Sequence, residues 1–225
     1  MLKPNDFTLS GLSFLLQQFQ LKGYIFSDFD KPVTEKGTVL LRHDVDVDLD
    51  AAHCVASLEA EMGVRATFFF LVSSPIYNIV SQKGAAICRE IVAMGHKVGL
   101  HLDPRPYEQS GTTLQTGTLL EKVILEKVCG VEVRHFSVHR PSSNTTPVPV
   151  TLADMTSTYS DAYVKRISYS SDSMGWWKFG KFIDSQEFEG IRSVQLLLHP
   201  FWWFSDQYET PLNRIEDFVS GARAR

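Results

Sequence analysis

The amino-acid sequence predicts an α/β fold in which helices cover a mostly parallel sheet of about seven strands. Short apolar segments alternate with longer segments in which apolar residues recur every three or four positions, and glycines separate many of them. Parallel strands are buried on both faces and therefore appear as continuous apolar runs. A sheet of this size fits either a barrel or a doubly wound arrangement.

The individual elements follow from these patterns. The first helix places Leu9, Leu12, Leu16 and Phe19 on one face and stops before Gly23. Helices are predicted at residues 8–21, 50–62, 78–94, 118–129 and 212–220. Strands are predicted at residues 39–43, 66–72, 97–101, 134–138, 158–162 and 193–198. The chain of 225 residues has the length of one domain with its own core, so a single domain spanning residues 1–225 is expected.

Composition and charge exclude some classes of function. The net charge is -4 and the basic residues are scattered, which gives no footprint for nucleic acid. The apolar runs are far shorter than a membrane span. The N-terminus lacks the basic and apolar regions of a secretory signal, and the three cysteines form no paired motif. These features favour a cytoplasmic protein with core thiols and leave the oligomeric state open.

Ionisable side chains follow four of the predicted strands at the point where each strand ends. Asp44 and Asp46 follow the first strand, His101 closes the third, His139 and Arg140 follow the fourth, and His199 follows the last. The carboxyl ends of parallel strands meet at one rim, where the reactive groups of α/β enzymes gather. The sequence therefore predicts a functional site at this rim.

The spacing of the acidic residues indicates a metal site. Residues two apart in an extended chain project from the same face, so Arg42, Asp44 and Asp46 are expected to share one. Two such close carboxylates both stay ionised only beside a cation or an arginine. A divalent metal held by one carboxylate and by imidazoles would satisfy this, and the other carboxylate would be free to accept a proton. An acidic loop at a helix start is the alternative, and it suffices for Asp48 and Asp50.

Several segments resemble the polysaccharide deacetylase family, also called the NodB-homology domain. The early motifs are Arg-His-Asp-Val-Asp at 42–46, Ala-Thr-Phe-Phe-Phe at 66–70 and Gly-His-Lys-Val-Gly-Leu-His at 95–101. The later ones, in the family's order, are 139–141, 169–173 with 176–177, and 197–200. The resemblance covers most of the chain. It implies a distorted parallel (β/α) barrel, a divalent metal, usually zinc, and hydrolysis of an acetamide on a sugar.

The resemblance also implies roles for particular residues. Asp44 corresponds to the family's general base, Asp46 and His101 to metal ligands, Arg140 to the arginine that orients the base, and His199 to the general acid.

One departure concerns the metal ligands. The family places a second histidine four residues after the first, where this chain has Arg105. Catalytic zinc normally has three protein ligands. His139, at the end of the next strand, is the candidate for the third, with a substrate contact as the alternative. His96 and His135 are expected to be structural or surface residues.

The substrate is less constrained by the sequence. Tyr169, Asp172, Trp177 and Trp202 are candidates to bind a carbohydrate, because they lie within the later motifs and sugars stack on aromatic rings. Burial in the core is the alternative for the tryptophans. An inactive binding module, suggested by Arg105, and an amide or imide hydrolase with a non-sugar substrate are the other possible functions.

Overall fold

The computed structural model describes residues 7–31, 33–34, 36–109, 112–141, 148–207 and 209–223. The strands in these ranges are β1 Ile25–Ser27, β2 Thr38–Val45, β3 Thr67–Phe70, β4 Lys97–Leu102, β5 His135–Val138, β6 Thr151–Leu152, β7 Met155–Ser157, β8 Ser168–Ser171 and β9 Val194–Leu198. The α-helices are α1 Leu9–Leu21, α2 Leu49–Glu61, α3 Gln82–Ala93, α4 Arg105–Gln109, α5 Leu114–Cys129, α6 Asp161–Val164, α7 Gln186–Glu189 and α8 Pro211–Arg223.

All the strands belong to one sheet, in the order β6-β7-β5-β4-β3-β2-β9-β8, with β1 beside the start of β2. Every pairing is parallel except that of β6 with β7. The predicted α/β class with a parallel sheet is confirmed. The sheet contains nine strands rather than about seven because the short strands β1, β6 and β8 carry no clear apolar run.

One predicted strand, at residues 158–162, is wrong. The strand lies earlier, at Met155–Ser157, and the chain then turns, with the Ser160 N–H donating to the Ser157 carbonyl. Asp161 begins a short helix directly afterwards. Serine and aspartate favour turns and helix starts because their side chains bond nearby backbone groups, and this preference outweighs the apolar character of the neighbouring residues.

Side-chain caps decide where the long helices begin. The side chains of Thr8, Asp48, Ser81 and Thr113 accept backbone N–H groups at the starts of α1, α2, α3 and α5. Such caps satisfy N–H groups that have no partner within the helix. They explain why α2 and α5 begin earlier than predicted, at Leu49 and Leu114, and why α3 begins later than predicted, at Gln82. No helix in the described ranges has the length and apolar character needed to cross a bilayer.

The sheet curls into a half-barrel that side chains close. Arg42 on β2 donates from Nη1 to Thr158 Oγ1 at 2.8 Å, although four strand pairings separate their segments. Gln195 on β9 donates to the carbonyls of Thr158 and Tyr163 at 3.0 and 3.3 Å. These bonds join β9 to the segment after β7, where the described strands form no ladder. The interior of the curled sheet is therefore enclosed, consistent with a distorted barrel.

Two apolar clusters line the two faces of the sheet. Phe68 and Phe70 on β3 belong to the large core between the sheet and the helices, whereas Phe69 points into the curl. The inner cluster is small and consists of Phe29, Leu40, Phe69, Tyr163 and Ile167, with Val33 packed against it. Polar side chains occupy the remainder of the curl, towards the carboxyl ends of the strands. The inner apolar cluster thus lies beneath the polar side chains and forms the floor of the site.

Gly99 on β4 is required by this floor, because a Cβ at that position would lie 2.3 Å from the Phe69 ring. We expect Gly99→Ala to lower the free energy of unfolding by about 1–3 kcal/mol, the usual cost of overpacking. Urea denaturation followed by circular dichroism measures this change. The control is Gly221→Ala in α8, where a Cβ meets nothing within 4 Å. Equal stability of the Gly99→Ala variant and the unsubstituted protein would contradict the expected clash.

Candidate active site

Four side chains meet at the carboxyl end of the sheet. Asp46 follows β2, His101 lies near the end of β4, His139 follows β5 and His199 follows β9. His101 Nε2 is 3.0 Å from Asp46 Oδ1, and His199 Nε2 is 3.9 Å from Asp46 Oδ2. The rings of His101 and His139 are 5.1 Å apart. The parallel register brings together the residues that the sequence placed at one rim.

Asp46, His101 and His139 form a candidate metal site. One donor atom from each lies within 4.8 Å of the others. Asp46 Oδ1 and His139 Nδ1 are buried without a hydrogen-bond partner in the described part of the chain. Donors bound to one zinc ion lie about 2.0–2.2 Å from it, so a modest contraction would place all three around one ion. The donor set of one carboxylate and two imidazoles fits zinc or a similar divalent cation.

The electrostatics of these ligands suit a cation. Burial opposes ionisation of Asp46, but His101 beside it holds the pKa of the carboxyl below its usual value. Burial and the neighbouring His101 lower the pKa of His139, which favours the neutral imidazole that a metal requires.

Arg105 stands where the family has its second histidine, and in this structure it binds a carboxylate. Its Nε donates to Asp103 Oδ1 at 2.8 Å, and Asp103 Oδ2 lies 3.5 Å from His139 Nδ1. Arg105 therefore holds the Asp103 carboxylate near Nδ1 of His139, the candidate third ligand, without a hydrogen bond between Asp103 and that nitrogen.

Asp44 lies deeper than Asp46, and Arg42 holds it. Arg42 donates from Nε to Asp44 Oδ1 at 2.9 Å and from Nη2 to Oδ2 at 2.7 Å. Both residues are almost fully buried. Burial alone would raise the pKa of Asp44, but the charge of Arg42 holds it well below the usual range. The expectation that Arg140 orients this aspartate needs correction, because Arg140 is exposed and adopts a left-handed backbone conformation with φ 50°.

Ser137 connects Asp44 to His101. Its Oγ is 2.6 Å from His101 Nδ1 and 3.2 Å from Asp44 Oδ1. Sequence reasoning missed this residue because a single serine within an apolar strand is common. The available signal was its spacing, since Ser137 lies two residues before His139 and so shares a face of the β5 segment.

His199 is paired with Asp172. Its Nδ1 is 2.6 Å from Asp172 Oδ1, and its backbone N–H also donates to this carboxylate. Trp203 Nε1 donates to Asp172 Oδ2 at 2.7 Å. Burial disfavours a charged imidazole, but Asp172, with Asp46 and Asp44, outweighs it and raises the pKa of His199 to about 9. The imidazole is therefore protonated at neutral pH.

This arrangement changes the role expected for Asp172. Its side chain is fully buried, so it is enclosed behind His199 and does not face a substrate. The other three residues expected to bind substrate vary in exposure. Tyr169 is 44% exposed, Trp177 is half-buried and Trp202 is buried. Both tryptophans have buried Nε1 groups that lack a partner among the described residues, and Trp176 is more exposed than either.

Two other histidines, His96 and His135, lie away from the site. His96 is buried on the outer face of the sheet, where its Nδ1 accepts the Ala66 N–H and its Nε2 bonds the Ala56 carbonyl. His135 contacts Tyr163, a member of the apolar floor. The structural roles expected for both residues agree with these contacts.

Comparisons with known proteins give structural similarity only. No family model and no curated sequence matches the chain. Its structure resembles a chitin deacetylase from Colletotrichum lindemuthianum (TM-score 0.47, 14% identity, 87% of this chain and 88% of that one). It also resembles the deacetylase PplD of Streptococcus pyogenes (0.45, 14%, 90% and 83%). A third similar structure is a CE4 family pseudoenzyme from Bacillus anthracis (0.38, 13%, 86% and 62%). These scores describe a general likeness of shape, so the functional argument rests on the residues of the site.

The pairing of His199 with Asp172 can be tested in the metal-free protein. We expect Asp172→Asn to lower the pKa of His199 from about 9 towards the ordinary 6.5, because the carboxylate charge is the main influence favouring protonation. Histidine ring resonances followed by NMR across a pH titration measure the change. Since the folded pKa is raised, this pair stabilises the fold fully below pH 6.5, and the contribution is lost as the pH rises through about 9.

The control for this titration is Asp206→Asn. Asp206 accepts the Ser10 N–H at the surface, so its substitution should leave the pKa of His199 unchanged. An unaltered pKa in the Asp172→Asn variant would show that other groups hold the proton on His199.

Proposed function

We propose that this protein is a divergent member of the polysaccharide deacetylase family and hydrolyses an amide with the help of a divalent metal. The observation that carries the proposal is the convergence of Asp46, His101 and His139 beside the His199–Asp172 pair. One group of residues has the donor atoms for a cation, and the adjacent pair holds a proton. Metal-assisted hydrolysis requires both.

The residues would divide the reaction between them. A bound divalent ion polarises a carbonyl and lowers the pKa of water. Asp46, His101 and His139 would hold that ion, and their donor set of one carboxylate and two imidazoles suits zinc. Water adds to the amide carbon and gives a proton to the Asp44 carboxylate, the role that the resemblance assigns to a residue which Arg42 holds by two hydrogen bonds. The C–N bond then breaks, and protonated His199 gives its proton to the departing nitrogen.

We further propose that the substrate is an N-acetylated sugar or a related amide of surface-polysaccharide metabolism. Tyr169 on β8 and Trp176 beyond the end of that strand are exposed, and their rings offer surfaces on which a sugar can stack. The Nε1 groups of Trp177 and Trp202, which have no hydrogen-bond partner among the described residues, add two further donors.

Metal content tests the first part of the proposal. We expect about one divalent ion per chain after purification, measured by elemental analysis. Asp46→Ala and His139→Ala should each lose it, because either substitution leaves only two protein ligands. The matched control is His135→Ala, which removes a histidine at the other end of β5 and should keep the ion. Full metal content in the His139→Ala variant would remove His139 from the ligand set.

Turnover tests the second part. A panel of small acetamido sugars, nucleotide sugars, imides and ureides, assayed for acetate or amine release, should identify a substrate among the acetamido compounds. His199→Gln should then reduce kcat by about 10²–10⁴, the usual contribution of a general acid. The control His53→Gln alters a partly exposed histidine on α2 and should leave kcat unchanged.

The outcome of the panel separates the alternatives. Turnover of imides or ureides without acetamido sugars would favour a non-sugar amide hydrolase. A protein that binds no metal and turns over nothing would be an inactive relative, the alternative that Arg105 suggests.

A further inference from the structure

We infer that the loop of residues 173–181 is a membrane-docking surface and that it binds the headgroup layer of an anionic lipid bilayer. The loop presents Met174, Trp176 and Phe179 to solvent and carries two lysines. The inference goes beyond the proposed hydrolysis, because it concerns where the protein binds and does not depend on what the protein hydrolyses.

The first observation is the exposure of three large apolar side chains within six residues. Met174 is 81% exposed, Trp176 is 54% exposed and Phe179 is 88% exposed. Single apolar residues are ordinary at a protein surface, whereas a group of them marks an interaction site. Side chains with this much exposure project into solvent. A partner into which they can insert therefore fits them better than a flat protein face.

The loop is held in place by the packing of its other residues. Trp177 packs against the buried Trp203, with ring centroids 6.2 Å apart. Gly175 has a φ of 73° and lies so close to α8 that a Cβ there would be 2.6 Å from Pro211. Met174 is not a glycine and yet adopts a φ of 64°, which costs energy and persists only where surrounding contacts maintain it. The exposed side chains are therefore presented by an anchored loop.

The charges of the loop favour one kind of partner. Residues 173–181 contain Lys178 and Lys181 and no acidic residue, although the whole chain has a net charge of -4. The ammonium of Lys178 lies 5.4 Å from the centre of the Phe179 ring, so a cation and an apolar group occur side by side. Aromatic rings and lysines together are typical of segments that lie in the interface of an anionic bilayer. A symmetric contact with a second copy of the chain would instead bring the same lysines together.

The position of the loop relates it to the candidate active site. The loop follows β8 at the carboxyl end of the sheet, directly after Asp172, the partner of His199. Docking through it would turn the rim of the site towards the lipid headgroups. The ring of Trp176, which the proposed function places against a sugar, would then lie at the headgroup level, where tryptophan is enriched.

Sedimentation with lipid vesicles tests the docking surface. The unsubstituted protein should sediment with vesicles that contain phosphatidylglycerol and much less with vesicles of phosphatidylcholine alone. The double variant Met174→Gln/Phe179→Gln should bind the anionic vesicles at least about 10-fold more weakly, because two apolar side chains no longer leave water. Failure of the unsubstituted protein to bind anionic vesicles, or equal binding to both kinds of vesicle, would overturn the inference.

The matched control is the double variant Leu120→Gln/Val123→Gln. It removes two apolar side chains, 62% and 43% exposed, from α5, which packs against β4 rather than β8. This variant should bind anionic vesicles as tightly as the unsubstituted protein. Equal loss of binding in the control and in the loop variant would show that general surface hydrophobicity, and not the loop, causes the binding.

Lys178→Gln isolates the charge of the loop. One lysine fewer near an anionic surface should weaken binding to phosphatidylglycerol vesicles about 5-fold and leave binding to phosphatidylcholine unchanged. An unaltered affinity for the anionic vesicles would contradict the electrostatic part of the inference.

Tryptophan fluorescence supplies a second measurement, on the unsubstituted protein. Trp176 is the most exposed of the four tryptophans, so brominated lipids in anionic vesicles should quench its emission, and Trp176→Phe should remove most of the quenching. Absence of quenching would count against docking through this loop. So would self-association in analytical ultracentrifugation that the Met174→Gln/Phe179→Gln variant abolishes, because a second copy would then cover the loop. None of these measurements requires metal or turnover, so they can fail or succeed independently of the proposed hydrolysis.

Discussion

The ion pair of Arg42 and Asp44, buried inside the curled sheet, is the interaction on which both the fold and the site depend. Arg42 reaches across the curl to Thr158 and Gln195, and so helps to join strands that share no ladder. Asp44 balances its charge and accepts a hydrogen bond from Ser137. Breaking a buried pair by removing one partner typically costs about 3–5 kcal/mol, because the remaining charge is left without compensation. The closing of the curled sheet and the geometry of the site therefore depend on the same ion pair.

A carboxylate lies near each imidazole of the candidate site. Asp44 is linked to His101 through Ser137, Asp103 lies 3.5 Å from His139, and Asp172 holds His199. Each carboxylate has its own cationic or N–H partner, namely Arg42, Arg105 and Trp203. Such partners fix the positions of the carboxylates, and Asp172 in turn orients the ring of His199.

Arg105 stands at the position where the polysaccharide deacetylase family, which the sequence resembles, has its second metal histidine. His139 comes from the neighbouring strand and brings an imidazole to the same three-residue cluster. Arg105 binds Asp103, and Asp103 lies against His139. Arg105 at this position suggested an inactive relative from the sequence alone. In the structure, His139 is the candidate to replace the missing histidine as a metal ligand.

The sequence by itself determined the fold class, most of the helices and strands, and the rim at which Asp46, His101, His139 and His199 gather. These features follow from local periodicity and from the rule that parallel strands present their carboxyl ends together. It did not locate β1, β6 or β8, whose short segments are stabilised by pairing with neighbours rather than by their own pattern.

Only the tertiary structure decided the partners of the ionisable groups. Arg42 rather than Arg140 holds Asp44, Asp172 lies behind His199 instead of facing a substrate, and Ser137 joins two residues far away in the chain. These contacts depend on how far the sheet curls and on which side chains point inward. Both are properties of the packed chain, because hydrogen bonds act over about 3 Å and periodicity fixes only the face on which a side chain lies.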